Sequence, residues 1–347
     1  MTDRKRRIVL ALVSMLPAAA LDVAAGPVRL GSAPLCEASA LQLVPCRSGP
    51  GDSACAVVAD NERKKTLFEF RIDQAGRLVD QTVVALSSPV EDMEAIAADE
   101  AGRLWIIGSH GRKSWKKGCA PDPDRLTLAI VRPNTDGYAG RLIHTDADEW
   151  TRLVKRDCAR DLVRVTTLPK LATELCDALF EAERHATESK AKCAQAFNVE
   201  GAAALPTEDG PSAIWLGLRG PQLHDKAVML RLDAVGDAPS FNGVATIDLE
   251  GRGIRELAVA GGWLWGIAGT AEDAATQSWL WRTRVQKVRH GAEIAHGDVE
   301  VLHRKLPPSS EGLAIVGDTA IVVVDGDKPD DGETDCETEP LQLTVPE

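Results

Sequence analysis

Small aromatics are scarce: one Tyr and five Phe stand beside eight Trp in 347 residues, which leaves little material for stacking nucleic-acid bases. Positive charge is in deficit too. With 40 basic against 52 acidic side chains the net charge is −12, so a phosphate backbone would be repelled and nucleic-acid binding is excluded. No stretch approaches ~20 uninterrupted apolar residues, which leaves no membrane span. A Cys-x-x-Cys pair is absent and the seven histidines are scattered singly, so nothing has zinc-site spacing. No Gly-x-Ser-x-Gly elbow occurs, and the neighbours Ser109 and His110 point apart in an extended strand end, which disfavours serine hydrolysis. What is present is a 44% apolar fraction, enough to bury at least one full core.

Arg4, Lys5, Arg6 and Arg7 precede an apolar run at 8–16 and small residues ending in Val23-Ala24-Ala25. That order is a secretory signal covering 1–25, with a cut after Ala20 as the competitor. Removing its four basic and two acidic residues leaves a mature chain, 26–347, with a net charge of −14. All eight cysteines (36, 46, 55, 119, 158, 176, 193 and 336) lie beyond the cut. An even number in an oxidising compartment points to disulfides and to a periplasmic or secreted protein. Cys46 and Cys55 flank a Gly/Pro-rich turn and are expected to pair. Cys176 and Cys193 are 17 residues apart, about 25 Å on one continuous helix, so they cannot pair with each other. Cys158 takes one of them, Cys119 takes the other, and Cys36 with Cys336 remain for ring closure.

Self-comparison finds Glu-(Gly/Ala)-x-Ala, or a near variant, opening an apolar strand five times, at Glu37, Glu94, Glu200, Arg255 and Glu311. The spacings are 57, 106, 55 and 56, so one interval is nearly double. Each copy is followed by a second apolar run (56–60, 104–108, 214–219, 264–269, 320–325) and a third (66–72, 126–132, 227–232, 278–282, 340–345). Fourth strands follow at 81–85, 141–145, 244–249 and 299–303. Four antiparallel strands repeated about every 55 residues predict an all-β chain, a β-propeller of five four-stranded blades. The last unit lacks a fourth strand, and 27–30 from the N-terminus is expected to supply it and close the ring. The long interval holds 149–196, rich in Ala, Glu and Lys. It predicts a helical insertion with helices at 151–165 and 170–194 broken by Pro169, a sixth eroded blade being the alternative.

The strings Cys36-Glu37-Ala38-Ser39, Ala59-Asp60-Asn61-Glu62, Gly108-Ser109-His110-Gly111-Arg112, Phe197-Asn198-Val199-Glu200-Gly201, Arg219-Gly220-Pro221, Gly253-Ile254-Arg255-Glu256-Leu257 and Pro308-Ser309-Ser310-Glu311-Gly312-Leu313 stand in order along nearly the whole mature chain. In them the chain resembles the bacterial domain-of-unknown-function family 3616. The resemblance implies a secreted, propeller-like protein and no particular substrate. Ala38-Ser39-Ala40 departs from the glycine-bearing version of the motif. The general look is also similar to secreted phytase-like and lactonase-like propellers, an analogy of fold alone.

In a propeller blade the start of the first strand and the end of the second share one face. The expected site is therefore Glu37, Glu94, Glu200, Arg255 and Glu311 around the channel mouth, with Asp60, Asn61, Ser109, His110, Arg112, Arg219 and Asp325 beside them. Clustered carboxylates need compensation, from Arg219 and Arg255 or from a divalent cation such as Ca²⁺ held by Glu37, Glu200 and Glu311. The basic loop 110–118 with Arg219 and Arg255 could take a small anionic molecule. A metal-assisted hydrolase acting on a phosphoester or lactone is the alternative, and a protein partner could dock on the helical insertion. The competing structural reading is that each Glu caps strand N–H groups and the lysines are solvated.

Overall fold

Strands shielded on both faces read as unbroken apolar runs, whereas outer strands alternate, and both patterns recur along this chain. The computed structural model describes residues 35, 37–47, 54–134, 137–144, 169–207, 212–235, 238–270, 276–325 and 340–346. β1 (Ala38–Pro45), β2 (Ala54–Asp60), β3 (Thr66–Ile72) and β4 (Leu78–Leu86) form a first antiparallel meander. β2 is buried at all but its first residue, and β4 alternates between buried and exposed positions. β5 (Met93–Ala98), β6 (Leu104–Gly108), β7 (Thr127–Asn134) and β8 (Gly137–His144) make the second. The outer strands β4 and β8 touch in parallel at Ala85–Gly137 and Leu86–Tyr138, joining both meanders into one eight-stranded sheet. Gly137 permits that contact: its φ is 152° and a Cβ there would stand 2.6 Å from the Ala85 carbonyl oxygen.

After α1 (Pro169–His185) and α2 (Lys190–Ala194) the meanders resume. β9 (Asn198–Leu205), β10 (Ala213–Gly220), β11 (Ala227–Val235) and β12 (Ala238–Ile247) form the third. β13 (Gly253–Ala260), β14 (Trp263–Gly269) and β15 (Ser278–Arg284) begin the fourth. β16 (Glu293–Ile294) crosses over to pair in parallel with β12, and β17 (Glu300–Leu306) completes the fourth sheet. β18 (Ser310–Val316), β19 (Thr319–Val324) and β20 (Leu341–Thr344) make the last described sheet.

The first strands of successive meanders pack in a closed cycle, β1 on β5, β5 on β9, β9 on β13, β13 on β18 and β18 on β1. Apolar side chains fill the wedges between neighbouring sheets. Val57, Met93, Ile96 and Ile106 join the first to the second, and Trp105, Leu128, Ile214 and Leu230 the second to the third. Met229, Ile254, Leu264 and Trp281 join the third to the fourth, Ile267, Leu313 and Val322 the fourth to the last, and Phe68, Ile321 and Val323 close back to the first. The expected all-β, propeller-type architecture is thus present, with every expected strand that falls on described residues found within a few positions. Guanidinium groups extend this packing over Trp279, with Arg252 at 4.0 Å and Arg304 at 4.1 Å from the ring centre.

One expectation for the insertion is corrected: 170–194 is not one continuous helix. Pro169 opens α1 as its first residue, where its missing N–H costs nothing. The break falls after His185, in the 3-10 turn Ala186–Glu188, and Ser189 then caps α2 by accepting from the Lys192 N–H. Leu175 and Leu179 of α1 enter the core between the second and third meanders. Cys46–Cys55 is a disulfide as expected, and Cys119 pairs with Cys193, one of the two partners left open for it. Cys176 is also disulfide-bonded, to a partner outside the described residues. Cys36, Cys158, Cys336, the leader 1–25, the closing strand 27–30 and the helix 151–165 lie outside them as well. Among the described residues no helix is long and apolar enough to cross a membrane.

Trp281 is fully buried in the wedge between the third and fourth sheets. Trp281→Ala is expected to lower the unfolding free energy by about 3–5 kcal/mol in urea titrations, the range for emptying a large aromatic site. A loss under about 1 kcal/mol would contradict this wedge packing.

Candidate functional site

One β-bulge recurs at the start of every innermost strand. Met93 pairs with Gly108 and Ala95 with Ile107, so the register skips Glu94. Glu200 is skipped between Val199 and Gly201, Arg255 between Ile254 and Glu256, and Glu311 between Ser310 and Gly312. A bulged residue leaves the ladder and its side chain is re-aimed. The repeat of acidic residues near strand starts is the sequence trace of this device.

In β1 the skipped residue is Ser39, between Ala38 and Ala40. This corrects the alignment that placed Glu37 in the ring. Ser39 to Glu94 is 55 residues, matching the later spacings of 55 and 56 better than the 57 from Glu37. Ser39 Oγ donates to the Met93 carbonyl and ties the first meander to the second. Glu37 is buried just before β1, and its carbonyl accepts from the Asn61 N–H at 3.1 Å.

The residue following each bulge's opposing pair forms a second tier: Asn61, Ser109, Arg219, Gly269 and Asp325. Arg219 Nη1 donates to Glu200 Oε1 at 2.7 Å, and Asn198 Nδ2 donates to the same oxygen at 2.9 Å. Arg255 Nη1 donates to Glu311 Oε1 at 2.5 Å and lies 3.9 Å from Glu200 Oε2. Asn61 Nδ2 reaches Glu94 Oε1 at 3.5 Å. Gly269 is needed here, because a Cβ would come within 2.4 Å of Arg255 Nε. Below Arg255, the fully buried Glu256 accepts from the N–H groups of Leu41 at 3.1 Å and Leu257 at 2.8 Å, and from that of Ala202. It joins β1, β9 and β13 across the ring.

Burial dominates the electrostatics. It pushes Glu94 well above the ordinary carboxyl range, with Asp92, Glu311, Glu200 and Asp325 adding to the effect. Burial likewise raises Glu311 to about 8, against the pull of Arg255 and with the help of Glu200 and Asp325. Asp92 is raised by burial and partly restored by Arg125, its ion-pair partner at 2.7 Å. Glu94, Glu200, Glu311 and Asp325 therefore lie within electrostatic reach of one another.

The remaining expected residues go elsewhere. Asp60 Oδ1 accepts from the Glu62 N–H and shapes the turn after β2. Ser109 bonds Asp92 through both its N–H and its side chain. His110 has φ +56°, contacts the Gly108 carbonyl through Nδ1 at 2.7 Å, and is pushed down to about 4 by burial, so it is uncharged near neutral pH. Arg112 turns to α1, pairing with Glu183 at 2.9 Å and donating to the Cys119 carbonyl at 2.9 Å. The basic loop is thereby clamped to the insertion, with Cys119–Cys193 as a covalent second clamp. No three Asp, Glu, His or Cys side chains among the described residues form a group able to hold a metal ion. The Glu37, Glu200, Glu311 set is not assembled, since Arg255 pairs with Glu311 and nears Glu200, and Glu37 sits two residues before its bulge. Asn198, Ser39 and Glu256 stand in the motif strings but were not put forward as site residues, and Asp92 was not singled out; only the 55-residue spacing pointed to Ser39.

Comparison with known proteins agrees with the motif strings. The family described as "Protein of unknown function (DUF3616)" matches residues 62–333. The chain belongs to the DUF3616 family. No curated protein matches this DUF3616 chain. Among solved structures it is similar to a protein assigned as a gluconolactonase, at 13% identity and TM-score 0.39 over 94% of this chain and 100% of that one. It is similar also to regucalcin, a calcium-binding protein from Agrobacterium tumefaciens, at 11% identity and TM-score 0.37 over 92% and 95%. A PQQ-bound aldose sugar dehydrogenase from Streptomyces coelicolor matches at 14% identity and TM-score 0.33 over 94% and 98%. At these scores neither a substrate nor a site carries over.

Glu311 keeps its proton in the folded chain to about pH 8, against an ordinary value of 4.5. Its favourable contribution is full below about pH 4.5 and is lost as pH rises toward 8, because there the native state binds the extra proton. Unfolding free energies measured across that window are expected to decline with pH, and Glu311→Gln to flatten the decline. An identical slope in both proteins would show that the carboxyl group is not held as described.

Proposed function

We propose that this DUF3616 protein is an exported five-bladed β-propeller that binds a small, neutral, hydroxyl-bearing molecule at the mouth formed by its bulge ring. The closed cycle of five innermost strands supports the blade count. The basic-apolar-small leader at 1–25 and the disulfides support export to the periplasm or outside the cell.

One observation carries the ligand reading. Glu200 Oε2, Arg255 Nε, Asn61 Oδ1 and Asn198 Oδ1 are buried without a hydrogen-bond partner, an expensive condition for polar atoms. They offer acceptors beside a donor, and a hydroxyl group can answer both. A neutral ligand fits better than the anionic one expected from sequence, because Arg219 already holds the Glu200 carboxylate, Arg255 donates to Glu311 and lies 3.9 Å from Glu200, and Arg112 holds Glu183.

A hydrolytic role has one specific observation in its favour. Glu311, protonated to about pH 8, stands near Glu200, whose carboxylate is ion-paired with Arg219. Such a pair divides the roles of acid and base, and would suit opening of a sugar lactone. Glu200 would draw a proton from water as its oxygen attacks the carbonyl carbon, and Glu311 would give a proton to the departing ring oxygen. The acid form is lost above about pH 8, so turnover should fall there.

Titration calorimetry with a panel of polyols and aldonolactones is expected to find a binder that Glu200→Gln weakens about tenfold or more, as loss of a charged hydrogen-bond partner does. Binding of inorganic phosphate or small carboxylates in place of any neutral compound would overturn the neutral-ligand reading and restore the anionic one. Lactone turnover, followed by acid release, separates catalysis from binding alone.

A further inference from the structure

At the end of the innermost strands opposite the bulges lies a cavity of about 1240 Å³. The β5–β6 turn brings Asp99, Glu100 and Arg103 to it, and the β9–β10 connection brings Ser212. Gln286 and Arg289 reach it from the segment that follows β15. The second, third and fourth meanders thus all contribute walls, and none of the ring residues does.

Most of the charge on these walls is spent locally. Asp99 accepts from the N–H groups of Ala101 and Arg103, from Arg103 Nε and from Trp105 Nε1. Asp233 takes two bonds from Arg231, at 2.8 and 3.1 Å, and a third from Asn242. Burial and the nearby Arg231 lower the basicity of His290, so it is uncharged near neutral pH.

Two charges on the walls remain unspent. Arg289 is exposed, and its side chain makes no ion pair or hydrogen bond among the described residues. Glu100 is exposed too, bonds the Ser212 hydroxyl at 2.5 Å and meets no base. These two have opposite sign and stand on meanders that are not neighbours, Glu100 on the second and Arg289 on the fourth. A simple anion entering here meets Glu100, and a simple cation meets Arg289. A molecule carrying an ammonium at one end and a carboxylate at the other satisfies both walls through charge-assisted hydrogen bonds.

The surface between them narrows the choice. Gln286, exposed and three residues before Arg289, offers a donor and an acceptor on one carboxamide, the pair that a peptide unit offers in return. Accessible apolar surface comes from Pro206, Ala101 and Val259, the last 41% exposed. The volume exceeds the roughly 300–1,000 Å³ of drug-sized pockets, so a single amino acid would leave most of it to water.

We infer that this cavity is a second binding site, for a short peptide with free termini. Glu100 takes the ammonium end, Arg289 the carboxylate end, and Gln286 a peptide group between them. The site works independently of the bulge ring and of whatever that ring binds.

Titration calorimetry of the full chain with trialanine at neutral pH is expected to show saturable binding at one equivalent. Acetylating its amino end or amidating its carboxyl end should each weaken binding tenfold or more, as loss of a charged hydrogen-bond partner does. Glu100→Gln and Arg289→Gln change exposed side chains and should not disturb the fold. In Glu100→Gln the acetylated and free peptides should bind alike, and in Arg289→Gln the amidated and free peptides should. Gln286→Ala should weaken trialanine by about threefold to fivefold. Glu200→Gln, in the ring, should leave all these affinities unchanged. Free alanine binding as tightly as trialanine overturns the peptide assignment. Absence of saturable heat with trialanine up to about 10 mM overturns the site, as do blocking penalties that persist in both charge variants.

Discussion

Carboxyl groups turned toward the axis of a closed ring of strands must be neutralised inside that ring, because water cannot reach all of them. This constraint governs the molecule's most distinctive region. At an effective dielectric of about 20, two unit charges 4 Å apart repel by about 4 kcal/mol, so Glu94, Glu200 and Glu311 cannot all ionise unaided. The chain answers in two ways. Arg219 and Arg255 supply positive charge at Glu200 and Glu311, and the carboxyl groups of Glu94 and Glu311 retain protons well above their ordinary range. A guanidinium on one bulge, facing acids on the others, is the covalently attached counterpart of a bound cation.

The bulges make this arrangement repeatable. Each lifts one residue out of the ladder at the same height, so successive sheets deliver side chains to a common opening whatever their outer strands do. The ring is also tied from within. Glu256 uses its carboxyl oxygens to accept N–H groups of three different innermost strands, and Ser39 reaches the Met93 carbonyl. These bonds stiffen the floor on which Arg255 stands. Around the rim, Arg112–Glu183 joins α1 and Cys119–Cys193 joins α2 to the loop before β7, just ahead of Asn198 and Glu200.

Strand order was legible because apolar runs of fixed spacing must alternate with turns, and β3 at Thr66–Ile72 and β6 at Leu104–Gly108 fall where the pattern places them. Register was not legible. Cys36-Glu37-Ala38 mimics the motif, and only the skipped pairing at Ser39 reveals that β1 presents a hydroxyl where its neighbours present charge. The helix break after His185 was hidden for a related reason: Ala186, Thr187 and Glu188 include no proline or glycine to mark it. Partners of long side chains were likewise hidden. Arg112 seemed available to a ligand until α1 brought Glu183, 71 residues away in sequence, against it. Short-range disulfide geometry was readable at Cys46–Cys55, whereas the choice of Cys193 over Cys176 as the partner of Cys119 was not, because it depends on the helix break after His185.

The central claim is that Arg255 compensates buried acid across blades, and a double-mutant cycle reads it directly. Arg255→Met, Glu311→Gln and the double variant would be compared by urea unfolding at pH 7. Removing the guanidinium alone leaves the protonated Glu311 Oε1 without its donor and is expected to cost about 1–3 kcal/mol, whereas the double variant should recover about 0.5–1.5 kcal/mol relative to the sum of the single losses. Simple additivity would mean that the two side chains do not act on each other, and the account of a self-neutralising ring would fail.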